Sequence, residues 1–76
     1  MDNMLKMDGY DECILGIVER CGQESFYVYD TDLVIENLMS QGMTKEAAIE
    51  FHEYNQAGAW LGEGTPGFLR AYTEDL

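Results

Sequence analysis

Along the 76-residue chain, apolar residues fall into three periodic runs, separated by glycines and one short aromatic stretch. In the first run, Tyr10, Cys13, Ile14, Ile17, Val18 and Cys21 step by three and four. That spacing places them on one face of a helix and predicts a helix over 10–21. Asp8 is placed to cap it, Asp11 and Glu12 suit its first turn, and Gly22 suits its end. Gly16 costs a helix interior about 1 kcal/mol against alanine, so close approach of another backbone is the expected reason for it. The aromatic stretch Phe26, Tyr27, Val28 and Tyr29 is β-prone and short, and predicts a strand over 26–29. Residues 1–8 show no period and are expected to fray.

A cluster of cap-forming residues, Asp30-Thr31-Asp32, opens the second run, which predicts a helix over 31–41. Gly42 fits the left-handed position just past its end, with Met43 against Leu38. Thr44 then caps a third helix over 44–57 by accepting from Glu46 or Ala47. Met43 is positioned to staple against Ala48. Ala47, Ala48, Phe51, Tyr54, Asn55 and Gly58 form the apolar face expected to pack, with Ile49 and His52 to one side. Glu46, Glu50 and Glu53 form a second, acidic row. Past Gly58 the periodicity ends. Residues 59–61 are expected to pair as a second strand beside 26–29, and 62–64 form a turn. Pro66 holds Thr65 extended, and residues 68–72 form a last strand or an extended tail. Asn55, Gly58, Trp60, Thr65 and Pro66 make up a predicted structural clasp, in which a buried Asn55 ties the helix to the turn. Trp60 and Tyr54 are assigned to the core, and Tyr27 and Tyr29 to a contact surface. The expected fold is α+β in a single domain: three helices and a small two- or three-stranded sheet. The alternative is an all-α domain with an extended C-terminal tail.

Charge narrows the functional classes. Fifteen acidic residues against Lys6, Arg20, Lys45 and Arg70 give a net charge of −11. Four scattered cations do not form the basic stripe that direct nucleic-acid binding uses, and anionic membranes repel such a chain. A basic partner surface is favoured, because long-range attraction speeds that encounter. Acidic residues also keep a small domain soluble. On one helix, Cys13 and Cys21 would lie about 12 Å apart along the axis, beyond the ~7 Å limit of a disulfide. Two reduced thiols, acting as small buried apolar groups, then suit a cytosolic protein.

The candidate chemistry is sparse. His52, the only histidine, has Gln56 rather than a carboxylate one turn away, so a half-exposed helical histidine is expected rather than a general base. Cys13, Cys21 and His52 lack the paired spacing of a zinc site. Counting from Asp30, an EF-hand would need ligands where Val34 stands and glycine where Ile35 stands. Gly58, Gly62, Gly64 and Gly67 match no phosphate loop, since no lysine follows any of them. These glycines fit turns and close packing. An enzyme would need His52, a cysteine and a carboxylate to converge.

The segments YDECILGIVERCG (10–22), VYDTDLVIENLMSQGMTKEAAIEF (28–51) and YNQAGAWLGEGTPGFL (54–69) resemble a family of small uncharacterised proteins of bacteriophages and prophages. The pattern YNxxGAWxGExTPxF is the most specific part of the resemblance. It implies no activity, cofactor or catalytic residue. It implies a small phage-encoded protein in the host cytosol that binds and inhibits a host factor, in the manner of acidic anti-CRISPR or anti-restriction proteins that mimic nucleic acid. The expected partner is a basic surface of a host protein or nucleoprotein complex. Glu46, Glu50, Glu53 and Tyr27 are the residues expected to meet it. The alternative is a small-ligand-binding or oligomeric phage accessory protein, with a pocket lined by Tyr54, Trp60 and Thr65.

Overall fold

The structure, a computed structural model, describes residues 4–62 and 64–72. It is α+β, with two helices on a three-stranded mixed sheet: β1 (Ile14–Val18), β2 (Phe26–Asp30), α1 (Thr31–Ser40), α2 (Lys45–His52) and β3 (Gly67–Leu69). The strand order is β1-β2-β3, with β1 antiparallel and β3 parallel to β2. The two helices form the crossover that a parallel pair requires.

The expected three-helix count is corrected by β1. Residues 11–13 make only a single 3₁₀ turn, and Ile14–Val18 is a strand. A bulge explains the misleading period. Ile14 pairs with Tyr29 and Gly16 with Val28, so Leu15 is the extra residue. Ile17 pairs with Tyr27. The bulge sets Ile14 opposite Tyr29 and Ile17 opposite Tyr27 although the two isoleucines are three apart, with Ile14 packed against the core and Ile17 exposed. A bulged strand thus imitates helical spacing. The β-branched Ile14, Ile17 and Val18 suit a strand, and Phe26–Asp30 supplies the partner. Gly16 meets no heavy atom within 4 Å of a built Cβ, so the expected close backbone approach there is absent. Asp8 caps nothing, and Gly22, at φ +77°, turns the chain between β1 and β2 rather than ending a helix.

Both cysteines are free. Cys13 is buried, but Cys21 is exposed, contrary to the expected burial of both. Burial, followed by the charges of Glu12, Asp30 and Glu36, pushes the Cys13 thiol above its ordinary value.

The cap signals hold. The Asp30 carboxylate accepts from the N–H groups of Asp32 (2.9 Å) and Leu33 (3.3 Å). Gly42, at φ +109°, takes the left-handed position past α1, and its N–H donates to the Met39 carbonyl at 3.0 Å. Val34, Ile35 and Leu38 bury one stripe of α1 in a core that also holds Cys13, Tyr29 and Ala48. Met43 packs against that cluster.

The third strand lies later than expected. Residues 59–61 are not a strand, and Gly67–Leu69 takes the place beside β2. Gly67 allows this pairing, because a Cβ there would come within 2.7 Å of the Phe26 ring. At the other end of the chain, Leu5 N–H donates to the Gly64 carbonyl at 3.1 Å and Met7 N–H to the Tyr29 hydroxyl at 2.8 Å. Residues 4–8, expected to fray, are therefore held at two points; residues 1–3 of that stretch lie outside the described residues.

Two predictions follow from this packing. Tyr29→Phe leaves the Met7 N–H without its acceptor and should lower stability by about 1 kcal/mol in urea unfolding; Tyr27→Phe should leave it nearly unchanged, and equal effects would contradict the assignment. A thiol reagent near the ordinary thiol pKa of about 8.5 should label Cys21 quickly and Cys13 only on unfolding. Equal rates would contradict the burial of Cys13.

Candidate functional site

Helix α2 starts where Thr44 caps it, its hydroxyl accepting from Ala47 N–H at 3.1 Å. Its inward stripe is Ala48, fully buried, and His52, 5% exposed. These residues are one turn apart and therefore share a face. Gln56 extends the stripe: its Oε1 accepts from His52 Nδ1 at 2.9 Å. The His52 ring meets the edge or face of Phe68 at a 4.7 Å centroid distance and 84°, which joins α2 to β3. His52 is thus a core residue rather than the half-exposed one expected.

The face expected to pack inward points outward. Ala47 and Asn55 are exposed, Phe51 is partly open, and Tyr54 is 76% exposed. Trp60 and Leu61, just beyond, are 72% and 70% exposed. The assignment of Tyr54 and Trp60 to the core is therefore corrected, as is the burial of Asn55. The reason is size. Alanine at position 48 lets α2 approach α1 closely, while His52 gains a hydrogen bond and a ring contact that Phe51 could not make on that side. After His52 the helix widens into a π-helical turn, Glu53–Ala57. Gly58 closes it, where a Cβ would come within 2.9 Å of the Glu53 carbonyl oxygen.

Glu46, Glu50 and Glu53 are all exposed along the same outward side. Spacings of four and three put them in one row, beside Phe51 and Tyr54. The result is an apolar and aromatic strip edged by carboxylates. Tyr27, expected on a contact surface, is half-buried and packs against the core, with Lys6 Nζ 5.8 Å from its ring centre. Tyr29 is fully buried. Side chains do alternate along β2 as expected, but the tyrosine side is the core side.

The clasp is built by Thr65 rather than Asn55. Thr65 Oγ1 accepts from Leu61 N–H at 2.7 Å and donates to the Gly62 carbonyl at 2.6 Å, while Thr65 N–H donates to that carbonyl at 3.1 Å. Gly62 sits at φ +115°. Glu63, within the expected 62–64 turn, lies outside the described residues. Beside this turn, a cavity of about 350 Å³ is bordered by Phe26, Trp60, Thr65, Pro66 and Arg20. Tyr54, expected to line such a pocket, does not border it.

Among the described residues, no three His, Cys, Asp or Glu side chains gather closely enough to hold a metal ion, and no helix is long and apolar enough to cross a membrane. The outward strip of α2 was legible as a hydrophobic stripe, but its direction was not, because periodicity does not say which of two neighbouring stripes is buried. Comparison with models of known protein families, with curated proteins and with solved structures gives no match for this chain.

The exposure of Tyr54 has a direct consequence. Tyr54→Ser should change stability by less than about 0.5 kcal/mol, as at open surface positions. Leu38→Ala should cost about 2–5 kcal/mol. Denaturant unfolding of both variants checks the orientation of α2, and a large loss for Tyr54→Ser would contradict it.

Proposed function

We propose that the protein is a non-enzymatic interaction protein that binds a basic surface of a partner through the outward face of α2. One observation carries this reading: a helix in a small domain turns Phe51 and Tyr54 to solvent beside Glu46, Glu50 and Glu53. A contiguous apolar strip left open to water favours burial against a partner, and exposed aromatics provide the anchors of such contacts. The carboxylates at its edge and the net charge of −11 favour a basic counter-surface and speed encounter with it. In the phage context implied by the sequence resemblance, the partner is a host defence or nucleic-acid-processing complex in the cytosol, inhibited by occupation of a basic groove. The carboxylate row then stands in for phosphates.

A second reading, a small-ligand-binding protein, is favoured by the cavity beside Trp60 and Thr65. Its walls mix an indole, a phenyl ring and a guanidinium, a combination suited to a flat or anionic ligand.

Immobilised protein exposed to host lysate, and washed with rising salt, tests the first reading. A partner retained by the wild type should be released by salt. It should be lost both from a Glu46→Gln, Glu50→Gln, Glu53→Gln triple variant and from Tyr54→Ser. Retention of the same partner by both variants would overturn the assignment to α2.

A further inference from the structure

Two of the four basic residues of this acidic chain, Lys45 and Arg70, border one cavity of about 310 Å³, together with Thr31, His52, Asp32 and Glu53. Its floor includes Ile35 and Ile49. The cavity lies at the start of α1, along the side of α2 and just past the end of β3, so three elements converge on it. Neither cation is in a direct ion pair there: the ion pair among the described residues is Lys6 with Asp11, at 3.7 Å. Asp32 and Glu53 thus stand beyond ion-pair reach of Lys45 and Arg70. A cation site is disfavoured too, since among the described residues no three His, Cys, Asp or Glu groups gather closely enough to hold a metal ion.

His52 supplies the second observation. Its side chain is almost completely buried, yet only Nδ1 is engaged, by Gln56. The carboxamide oxygen only accepts, so Nδ1 is the donor and Nε2 is the acceptor of the neutral ring. No buried side-chain nitrogen or oxygen among the described residues lacks a partner. Nε2 therefore keeps some access to solvent, and His52 borders the cavity. A buried ring held in place by Gln56 and Phe68, on the border of a cavity that two unpaired cations share, is a preorganised arrangement.

We propose that this cavity binds phosphate, free or as a small monoester. Phosphate offers negative oxygens to Lys45 and Arg70. Near pH 6, about its second pKa, about half of the phosphate keeps a proton, and that form offers a P–OH donor to Nε2. The Thr31 hydroxyl serves as a further donor at the rim. Asp32 and Glu53 limit the site to a small ligand and disfavour a polyphosphate. At physiological salt, charges beyond about 8 Å are largely screened, while Asp32 and Glu53 in the lining and Asp30 beside Thr31 offset part of the attraction of Lys45 and Arg70. The site shares only Glu53 with the outward row of α2 and does not depend on the function assigned to that row.

The chain has a single histidine, so its Hε1 proton resonance reports on this cavity alone. Titration with inorganic phosphate at constant ionic strength should shift that resonance saturably, with a Kd of about 1 mM or tighter. Sulfate, which has the same shape but no proton to donate, should bind about tenfold more weakly. Lys45→Gln and Arg70→Gln should each weaken the phosphate response by about tenfold while the amide spectrum stays native. Lys6→Gln should leave the response unchanged. Glycerol 3-phosphate in parallel assigns the site to an esterified phosphate if it binds more tightly and to free phosphate if it binds more weakly. An absent or non-saturable shift, an equal response to sulfate, or an unchanged response in folded Lys45→Gln and Arg70→Gln would overturn the proposal.

Discussion

The phenol of Tyr29 accepts from Met7 N–H at 2.8 Å, while its ring lies against Phe68, with centroids 5.8 Å apart. On the central strand it also faces Ile14 across the sheet. One fully buried side chain therefore joins the N-terminal segment, β1 and β3. In a domain this small the burial available per residue is limited, and few side chains can serve as such a junction. Phe68 passes the link on to His52, and His52 to Gln56 in the π-helical turn that follows α2. This chain of contacts places α2 against the sheet through its His52 side.

That placement determines what the helix shows to solvent. Residues at neighbouring positions on a helix point about 100° apart, so the stripe of Ala48 and His52 and the stripe of Ala47, Phe51 and Tyr54 cannot both face the core. The contacts of His52 with Phe68 and Gln56, and the close fit of Ala48, decide in favour of the first. Phe51 and Tyr54 are left outside, next to three carboxylates. An interaction surface thus arises from how the core is closed rather than from a separate structural element.

What was legible in the sequence was chemistry local to a few residues. Asp30 and Thr44 read as caps and are caps, and Gly42 reads as a left-handed terminus and is one. Their signals depend on neighbouring backbone N–H and C=O groups alone. The misread features depend on distant partners. The bulge at Leu15 makes sense only with β2 alongside. The short strand at Gly67 forms because Phe26 covers a residue with no side chain. The buried stripe of α2 was chosen by Phe68, sixteen positions beyond His52 in the chain. The carboxylate row was visible beforehand because exposure is the default for charge, whereas the aromatics beside it were assigned to the core by the same default for apolar groups.

The central claim is that α2 presents Phe51 and Tyr54 to solvent and His52 to the core. Hydroxyl-radical footprinting of the free protein, at concentrations where it sediments as a monomer, tests this most directly. Tyr54 and Trp60 are predicted to oxidise rapidly and Phe51 at an intermediate rate, with His52 and Tyr29 protected until the protein unfolds. Protection of Tyr54 together with rapid oxidation of His52 would mean that the helix faces the other way, and would contradict the account.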